Sequence, residues 1–221
     1  MSLELWQTIL LSLRISLIAT VLALMLALPL AHLNARSRYW GKSLVEGLIV
    51  LPMVLPPTVV GYLIIVAMGA RGWVGQYLHK WFDYSILFRP EGAVIAGAIV
   101  ALPLLYLPTR AAFAAVDRDM EDMARVLGAN RLQLFWHVTL PMAMRGLTSG
   151  LMLAFARALG EFGATVMVFG IRENHMTLPV SIYVDYEQGD MQQAAPAVGI
   201  LCVLSLTITL LYNRSALSRQ E

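Results

Sequence analysis

Five long apolar runs constrain what this chain can fold into more than any other feature of its sequence. They cover residues 8–31, 44–69, 92–116, 146–170 and 194–213. A helix of about 20 apolar residues crosses the roughly 30 Å hydrocarbon core of a bilayer. Backbone polar groups in lipid must bond within their own segment, and the runs lack the alternation of barrel strands, so all five predict helices. The sequence therefore predicts an all-α polytopic membrane bundle of about five transmembrane helices.

The composition agrees with a chain surrounded by membrane lipid. Apolar residues make up 58% of the sequence and charged residues only 14%, against about 25% charged residues in soluble domains. A net charge of +2 leaves no basic face broad enough to follow a nucleic-acid backbone, so we expect no nucleic-acid partner. The segments between the runs are too short for separate soluble domains, which predicts a single domain over residues 1–221.

The distribution of lysine and arginine predicts the orientation of the bundle. Ten basic residues fall on one side: Arg36, Arg38, Lys42, Arg110, Arg118, Arg125, Arg131, Arg145, Arg214 and Arg219. The other side carries four: Arg71, Lys80, Arg89 and Arg172. Cytoplasmic connections carry the excess of positive charge in membrane proteins. We therefore expect an outside N-terminus, a cytoplasmic C-terminus, and segments 70–91 and 171–193 on the outer face.

Three prolines interrupt the second run. Pro52, Pro56 and Pro57 lie within six residues, and each removes a backbone donor and clashes with the preceding turn. The run therefore predicts a broken helix near the middle of the bilayer, where irregular backbone is tolerated only against protein or a water-filled cavity. The sequence leaves two interpretations open: a kinked helix packed on its neighbours, or part of a substrate pathway.

The fourth run contains two charges, Arg157 and Glu161, one helical turn apart. Each costs about 2.5–3.5 kcal/mol if it meets lipid, so both are expected to face protein or water. A spacing of four lets them form an ion pair that fixes helix positions. Alternatively, Arg157 and the backbone amides beside Gly160 and Gly163 offer positive potential to an anion, because a guanidinium donates to an oxyanion in a fork.

The charged connection at 117–141 predicts two short helices. Asp119 is expected to cap the first helix, with Glu121 and Asp122 in its first turn, and Gly128 to end it in the left-handed conformation. Asn130 is expected to cap the second helix. That helix is expected to present four apolar side chains on roughly one face: Leu132, Phe135, Trp136 and Leu140. A pair of short helices with an apolar face suits a docking surface for a partner protein. The alternative is that the pair lies on lipid headgroups, although anionic lipid would repel its acidic side chains.

The same segment resembles the coupling-loop signature of bacterial ABC importer permeases. That signature is Glu-Ala-Ala, three residues, Gly, nine residues and Ile-x-Leu-Pro. The chain keeps its spacing at Asp122, Met123, Ala124, Gly128, Val138, Leu140 and Pro141, and departs from its residue types at Asp122, Met123 and Val138. The resemblance implies a loop that docks on cytoplasmic ABC ATPase subunits, which bind ATP and Mg, and that receives their motion.

Two further strings, residues 51–62 and 155–165, resemble the molybdate and sulfate branch of these permeases, and a five-span chain is more similar to the molybdate members. The resemblance implies the importer permease fold in a bacterial inner membrane, a homodimer, a periplasmic molybdate-binding protein, and molybdate, with tungstate as a second substrate. It places these residues along the translocation pathway: Pro52, Pro56, Pro57, Thr58, Gly61, Arg157, Gly160, Glu161 and Gly163. The alternatives are a sulfate or thiosulfate permease and an autonomous anion carrier or channel.

Catalytic and metal motifs do not compete with this interpretation. The string Gly41-Lys42-Ser43 resembles the end of a phosphate-binding loop, but Arg36 occupies the place of the leading glycine. The four histidines, His32, His79, His137 and His175, share no metal-ligand spacing. We therefore expect a non-catalytic chain without a cofactor or metal of its own.

Overall fold

The structure is a computed structural model that describes residues 3–171 and 176–217. Its α-helices within these ranges are, in chain order, α1 (Leu3–Arg36), α2 (Lys42–Val54), α3 (Pro57–Met68), α4 (Gly75–Phe82), α5 (Pro90–Ala114), α6 (Arg118–Val126), α7 (Arg131–Leu134), α8 (Leu140–Leu159), α9 (Gly163–Phe169), α10 (Leu178–Glu187) and α11 (Met191–Leu217). A π-helical turn, Phe135–Thr139, joins α7 to α8.

Four segments of the described chain are long and apolar enough to cross a membrane. They are Glu4–Arg36, Pro90–Ala114, Arg131–Leu159 and Met191–Arg214. The bent pair α2 and α3 forms a fifth candidate, and the axes of its two halves differ by 117°. The predicted all-α bundle of about five spans is therefore confirmed, and the second span is broken next to Pro56 and Pro57, as the prolines predict.

The bent pair connects opposite ends of the bundle. Helices α1 and α5 are parallel, since Ile15 clusters with Ala93 in the first half of both helices and Arg36 binds the carbonyl of Val116 at the end of both. Lys42, where α2 begins, donates to the carbonyl of Ser37 just after α1. Residue 69, which follows α3, lies beside residue 87, shortly before α5 begins. The chain therefore crosses the bundle once through α2 and α3 despite the bend.

Small residues bring the central helices close together. Ala19, Ala23, Ala27 and Ala31, spaced four apart on α1, are fully buried against α5 and α8. A Cβ placed on Gly97 of α5 would lie 3.1 Å from Cβ of Ala19. Alanine and glycine at such contacts allow the close approach that favours helix association in lipid.

The position of Gly97 also shows where α8 ends in the bundle. A Cβ on Gly97 would lie 3.8 Å from Cβ of Ala158, near the end of α8, and it also faces Ala19, midway along α1. Helix α8 therefore ends at about mid-depth in the bundle. The prediction of one continuous helix over 146–170 is wrong, because the chain breaks after Leu159 and resumes as α9 at Gly163.

The two connections predicted on the outer face contain helices that the sequence analysis did not anticipate. Helix α4 lies within 70–91 and α10 within 171–193, where residues 172–175 are outside the described part of the chain. The backbone amide of Leu178, at the start of α10, donates to Oγ of Ser12 on α1 over 2.7 Å. This bond fixes α10 at the end of the bundle where α1 begins, opposite the 117–141 segment.

Candidate functional site

The breaks in the second and fourth spans lie side by side. A Cβ placed on Gly163 would lie 3.0 Å from Cβ of Pro57 and 3.5 Å from the backbone nitrogen of Thr58. A Cβ on Gly61 would lie only 2.7 Å from Cβ of Met167. The two glycines therefore let α3 and α9 pack closely at the residues where each helix begins. The structure brings together Pro57, Thr58, Gly61 and Gly163, which come from two separate sequence motifs.

This junction is open on one side. Pro56, Thr58 and Gly160 are exposed, whereas Pro52 lies one turn earlier, inside α2, and is half-buried. The backbone between Leu159 and Gly163 is not helical and lies at about mid-depth in the bundle. Irregular backbone at that depth requires protein or water beside it, because lipid cannot hydrogen-bond to its polar groups.

Arg157 and Glu161 form the ion pair that their spacing allows. Nη1 of Arg157 lies 2.5 Å from Oε2 of Glu161, without hydrogen-bond alignment, and the side chains are 31% and 2% exposed, respectively. The other carboxylate oxygen, Oε1, accepts a hydrogen bond of 2.9 Å from the amide of Ala164. Glu161 thus both neutralises Arg157 and satisfies an amide in the first turn of α9. The pair bridges the break between α8 and α9, and attraction of an anion by Arg157 stays a prediction.

A cavity of about 620 Å³ lies next to this break, between α10 and α11. Phe162 forms part of its wall and packs against Tyr183, with 4.9 Å between the ring centroids. The other lining residues include Ile182, Ala194 and Val198. Moving a doubly charged oxyanion out of water onto such apolar walls is unfavourable, so this cavity is not a suitable anion site.

The first helix of the 117–141 segment, α6, begins at Arg118, and its cap lies two residues before the predicted one. Oδ1 of Asp117 accepts a hydrogen bond of 3.0 Å from the amide of Asp119. The prediction of Asp119 as the cap is therefore wrong, because Asp117 already satisfies that amide and places Asp119 in the first turn. Gly128 has φ +89° and donates to the carbonyl of Arg125, so its predicted left-handed ending of the helix is confirmed.

The second helix, α7, has the predicted cap but not the predicted apolar face. Asn130 and Gln133 form a reciprocal capping box, which confirms Asn130 as the cap. Leu132 and Trp136 are exposed, however, whereas Phe135 is half-buried and Leu140 is buried. The expected single face is wrong, because the π-helical turn at Phe135–Thr139 changes the angular register between these positions.

The residues of the coupling-loop signature differ in exposure. Asp122, Met123, Gly128 and Pro141 are exposed, Ala124 and Val138 are half-buried, and Leu140 is buried. The exposed apolar side chains of α6 and its end form a set that we call the loop surface: Met120, Met123, Val126 and Leu127. Exposed apolar patches of this kind mark interaction sites.

Glu121 is the residue of this segment whose position the sequence analysis missed. It was expected only as one of the acids in the first turn, yet it is buried and contacts Arg36 and Thr139. The acid and the arginine are 85 positions apart, and no local pattern predicts such a contact. In the described part of the chain, no three His, Cys, Asp or Glu side chains converge as a metal site. His175 lies outside that part.

A comparison with known protein families matches residues 8–217 to the model described as "Binding-protein-dependent transport system inner membrane component". The chain belongs to this family. It is therefore a multi-pass inner membrane permease and not an enzyme, and it operates with a binding protein and a separate ATPase subunit that binds the ATP.

Individual relatives cover almost the whole chain. The molybdenum transport system permease protein ModB of Escherichia coli (strain K12) is 39% identical over 207 residues, which are 93% of this chain and 89% of that protein. ModB of Haemophilus influenzae is 38% identical over 212 residues, 96% of this chain and 93% of that protein. A chain of the bacterial alginate ABC transporter, solved with an alginate-bound periplasmic protein, superimposes with a TM-score of 0.75 at 18% identity, over 100% of this chain and 80% of that one. The last likeness shows the fold alone.

Proposed function

We propose that this chain is the permease subunit of a molybdate importer, with tungstate as a second substrate. The observation that carries the proposal is the 39% identity to a molybdenum permease over 93% of the chain. Molybdate is a tetrahedral dianion, and the junction of α3 and α9 offers the exposed hydroxyl of Thr58 and the irregular backbone around Gly160. Such groups can replace part of the hydration of an oxyanion without holding it tightly.

The pathway is proposed to lie between two copies of the chain. Its residues are Pro52, Pro56, Pro57, Thr58, Gly61, Arg157, Gly160, Glu161 and Gly163. Pro56, Thr58 and Gly160 are exposed on a single copy, at a depth where lipid cannot satisfy the irregular backbone. A second copy facing this surface would enclose the junction and leave room for water and an anion.

The 117–141 segment is proposed to be the docking site of the ATPase, through Asp122, Met123, Ala124, Gly128, Val138, Leu140 and Pro141. This role requires the segment to face the cytoplasm, with an outside N-terminus and a cytoplasmic C-terminus. The placement of α10 beside Ser12 and of Arg36 beside Glu121, at opposite ends of α1, supports the part of this proposal that puts α10 and the 117–141 segment on opposite sides of the membrane.

The substrate is tested in proteoliposomes that contain the permease, its ATPase and ATP, with molybdate, tungstate, sulfate or thiosulfate delivered in turn by a matching binding protein. We expect ATP-dependent uptake of molybdate and tungstate. Uptake of sulfate or thiosulfate together with no uptake of molybdate would contradict the proposal and identify a sulfate-type permease.

The homodimer is tested by disulfide cross-linking across the proposed pathway. Cys202 is exposed and must first be replaced, as Cys202→Ser, to remove background. In that background Thr58→Cys is expected to give a cross-linked dimer in membranes, whereas Met25→Cys, exposed on α1, serves as the control for random collision. Equal cross-linking of the two variants would contradict the proposed interface.

A further inference from the structure

Helix α6 is held to the bundle by a buried acidic side chain. Glu121 is the buried residue of this helix, and its carboxylate is almost completely enclosed. The apolar residues Met120, Met123 and Val126 are exposed instead and contribute little packing to the bundle. The attachment of α6 therefore depends on a buried charge rather than on an apolar face.

The Glu121 carboxylate bonds to two different parts of the bundle. Its Oε2 forms an ion pair with Nη1 of Arg36, at the last residue of α1. Its Oε1 accepts a hydrogen bond of 2.6 Å from the hydroxyl of Thr139, the residue directly before α8. The second guanidinium nitrogen of Arg36 donates to the carbonyl of Val116 over 2.8 Å, which fixes the arginine in place. One carboxylate thus joins α6 to both α1 and α8.

These bonds are directional, and the carboxylate that makes them is only 4% exposed. Thr139 is buried, and Arg125 reaches Oε2 only at 3.8 Å while it pairs more closely with Asp122. Charge-assisted hydrogen bonds are short and strong, and a buried carboxylate without its partners is costly. A displacement of α6 must therefore move α1 and α8 with it or break the contact outright.

The surroundings leave space for such a displacement. A cavity of about 280 Å³ lies beside Glu121, and its walls include Leu33, Arg131 and Phe135. Helix α8 then extends about 30 Å from Leu140 to the break at mid-depth, where Arg157 pairs with Glu161. A rigid helix of that length joins the buried carboxylate to the proposed pathway.

We propose that Glu121 is a positioning residue that, through Arg36 and Thr139, carries movement of α6 into α1 and α8. The inference rests on the proposed docking of an ATPase on the 117–141 segment. It adds that the docking surface and the transmitting contact are different side chains of the same short helix. Variants of Glu121 are therefore expected to separate ATP hydrolysis from transport while the ATPase stays bound.

The experiment uses the complete complex of permease, ATPase and binding protein in proteoliposomes. The measured quantity is the amount of molybdate taken up per ATP hydrolysed, in complexes whose assembly has been verified. Glu121→Gln removes the charge, and Thr139→Val removes one hydrogen bond at similar volume. Arg118→Gln, an exposed position on the same helix, is the matched control. We expect the ratio to fall about fivefold or more in Glu121→Gln, less in Thr139→Val, and to be unchanged in the control.

A charge exchange tests whether the ion pair itself is required for transmission. Combining Glu121→Arg with Arg36→Glu rebuilds the ion pair and is expected to recover part of the lost ratio, relative to either single exchange. An unchanged ratio in assembled Glu121→Gln complexes would overturn the inference. If Glu121→Gln does not assemble, an unchanged ratio in Thr139→Val would overturn it equally.

A second readout does not depend on the substrate. The stimulation of ATP hydrolysis by the binding protein is measured with the same complexes, and it is expected to fall towards none in Glu121→Gln. If the wild-type complex moves no molybdate but this stimulation responds to Glu121 as expected, the proposed substrate fails and the transmission role stands. If stimulation and transport are both unaffected by Glu121→Gln, the transmission role fails and the proposed function stands.

Discussion

Gly163 and Pro57 lie so close that a Cβ on the glycine would be 3.0 Å from Cβ of the proline, although the residues are more than a hundred positions apart. Each is the first residue of a helix that follows a break, so the two breaks share one place in the bundle. A proline at the first position of a helix loses no intrahelical bond, and a glycine there allows close packing. The open backbone at mid-depth is therefore a property of two spans together.

The packing of α3 on α9 is expected to depend on Gly61. In Gly61→Ala the new Cβ would lie 2.7 Å from Cβ of Met167 and 3.1 Å from Cα of Ala164, so one helix must move. Overpacking of this kind costs about 1–3 kcal/mol, and we expect a lower melting temperature of the purified protein and reduced uptake. Gly199→Ala, at a position with open space around it, is the control. Equal melting temperatures for the two variants would show that α3 and α9 are not in this contact.

The Arg157–Glu161 pair is expected to respond asymmetrically to loss of charge. Arg157→Gln leaves a buried carboxylate without its cation, whereas Glu161→Gln leaves a partly exposed guanidinium and keeps an oxygen for the Ala164 amide. We therefore expect Arg157→Gln to lower the free energy of unfolding by about 1–3 kcal/mol and Glu161→Gln by less. Thermal unfolding of both variants and of the double variant provides the comparison. A greater loss of unfolding free energy from Glu161→Gln would contradict the burial of Glu161 and the partial exposure of Arg157.

The end of α6 is expected to be intolerant of proline at Gly128. Proline cannot adopt φ +89°, and it removes the amide that bonds to Arg125, so Gly128→Pro would rebuild the end of the helix at a cost of about 3 kcal/mol. We expect loss of ATPase binding, measured by co-purification, and the same loss in Asp122→Arg. Gly47→Ala, inside α2 with open space around it, is expected to bind normally. Normal assembly of both variants would contradict the proposed docking role of the 117–141 segment.

Helix α10 is expected to be more stable at acidic pH. Burial, with a further contribution from Asp190, raises the pKa of Asp185. The favourable contribution of the neutral acid is complete below the unfolded pKa and is lost as the pH rises through the raised folded pKa. Hydrogen exchange in α10, corrected for the intrinsic rate, is therefore expected to show more protection at about pH 4 than at about pH 7. Asp185→Asn is expected to reduce this difference, and an unchanged difference would mean that another group is responsible.

The features of the fold that depend on residues close together in sequence could be predicted from the sequence. The runs of apolar residues gave the spans, Pro56 and Pro57 the break in the second span, Asn130 a helix cap, and Gly128 a helix end. The break after Leu159 was missed because the spacing of Arg157 and Glu161 predicts only their ion pair. It does not predict that Glu161 also accepts a hydrogen bond from the amide of Ala164, at the start of α9.

The remaining differences depend on contacts between distant segments. The burial of Glu121 requires Arg36 and Thr139, which lie on either side of it in sequence and meet only in the folded bundle. The outward positions of Leu132 and Trp136 depend on a π-helical turn, which helical periodicity does not predict. The junction of Gly163 with Pro57 likewise exists only after α3 and α9 have packed.

Transport of molybdate through this chain is proposed to be driven by ATP hydrolysis in another subunit. The most direct measurement compares molybdate uptake into proteoliposomes that contain the permease alone, the permease with a hydrolysis-deficient ATPase, and the permease with the active ATPase, always with the binding protein and ATP. We predict accumulation only with the active ATPase. Accumulation of molybdate by the permease alone would contradict this proposal and identify an autonomous carrier or channel.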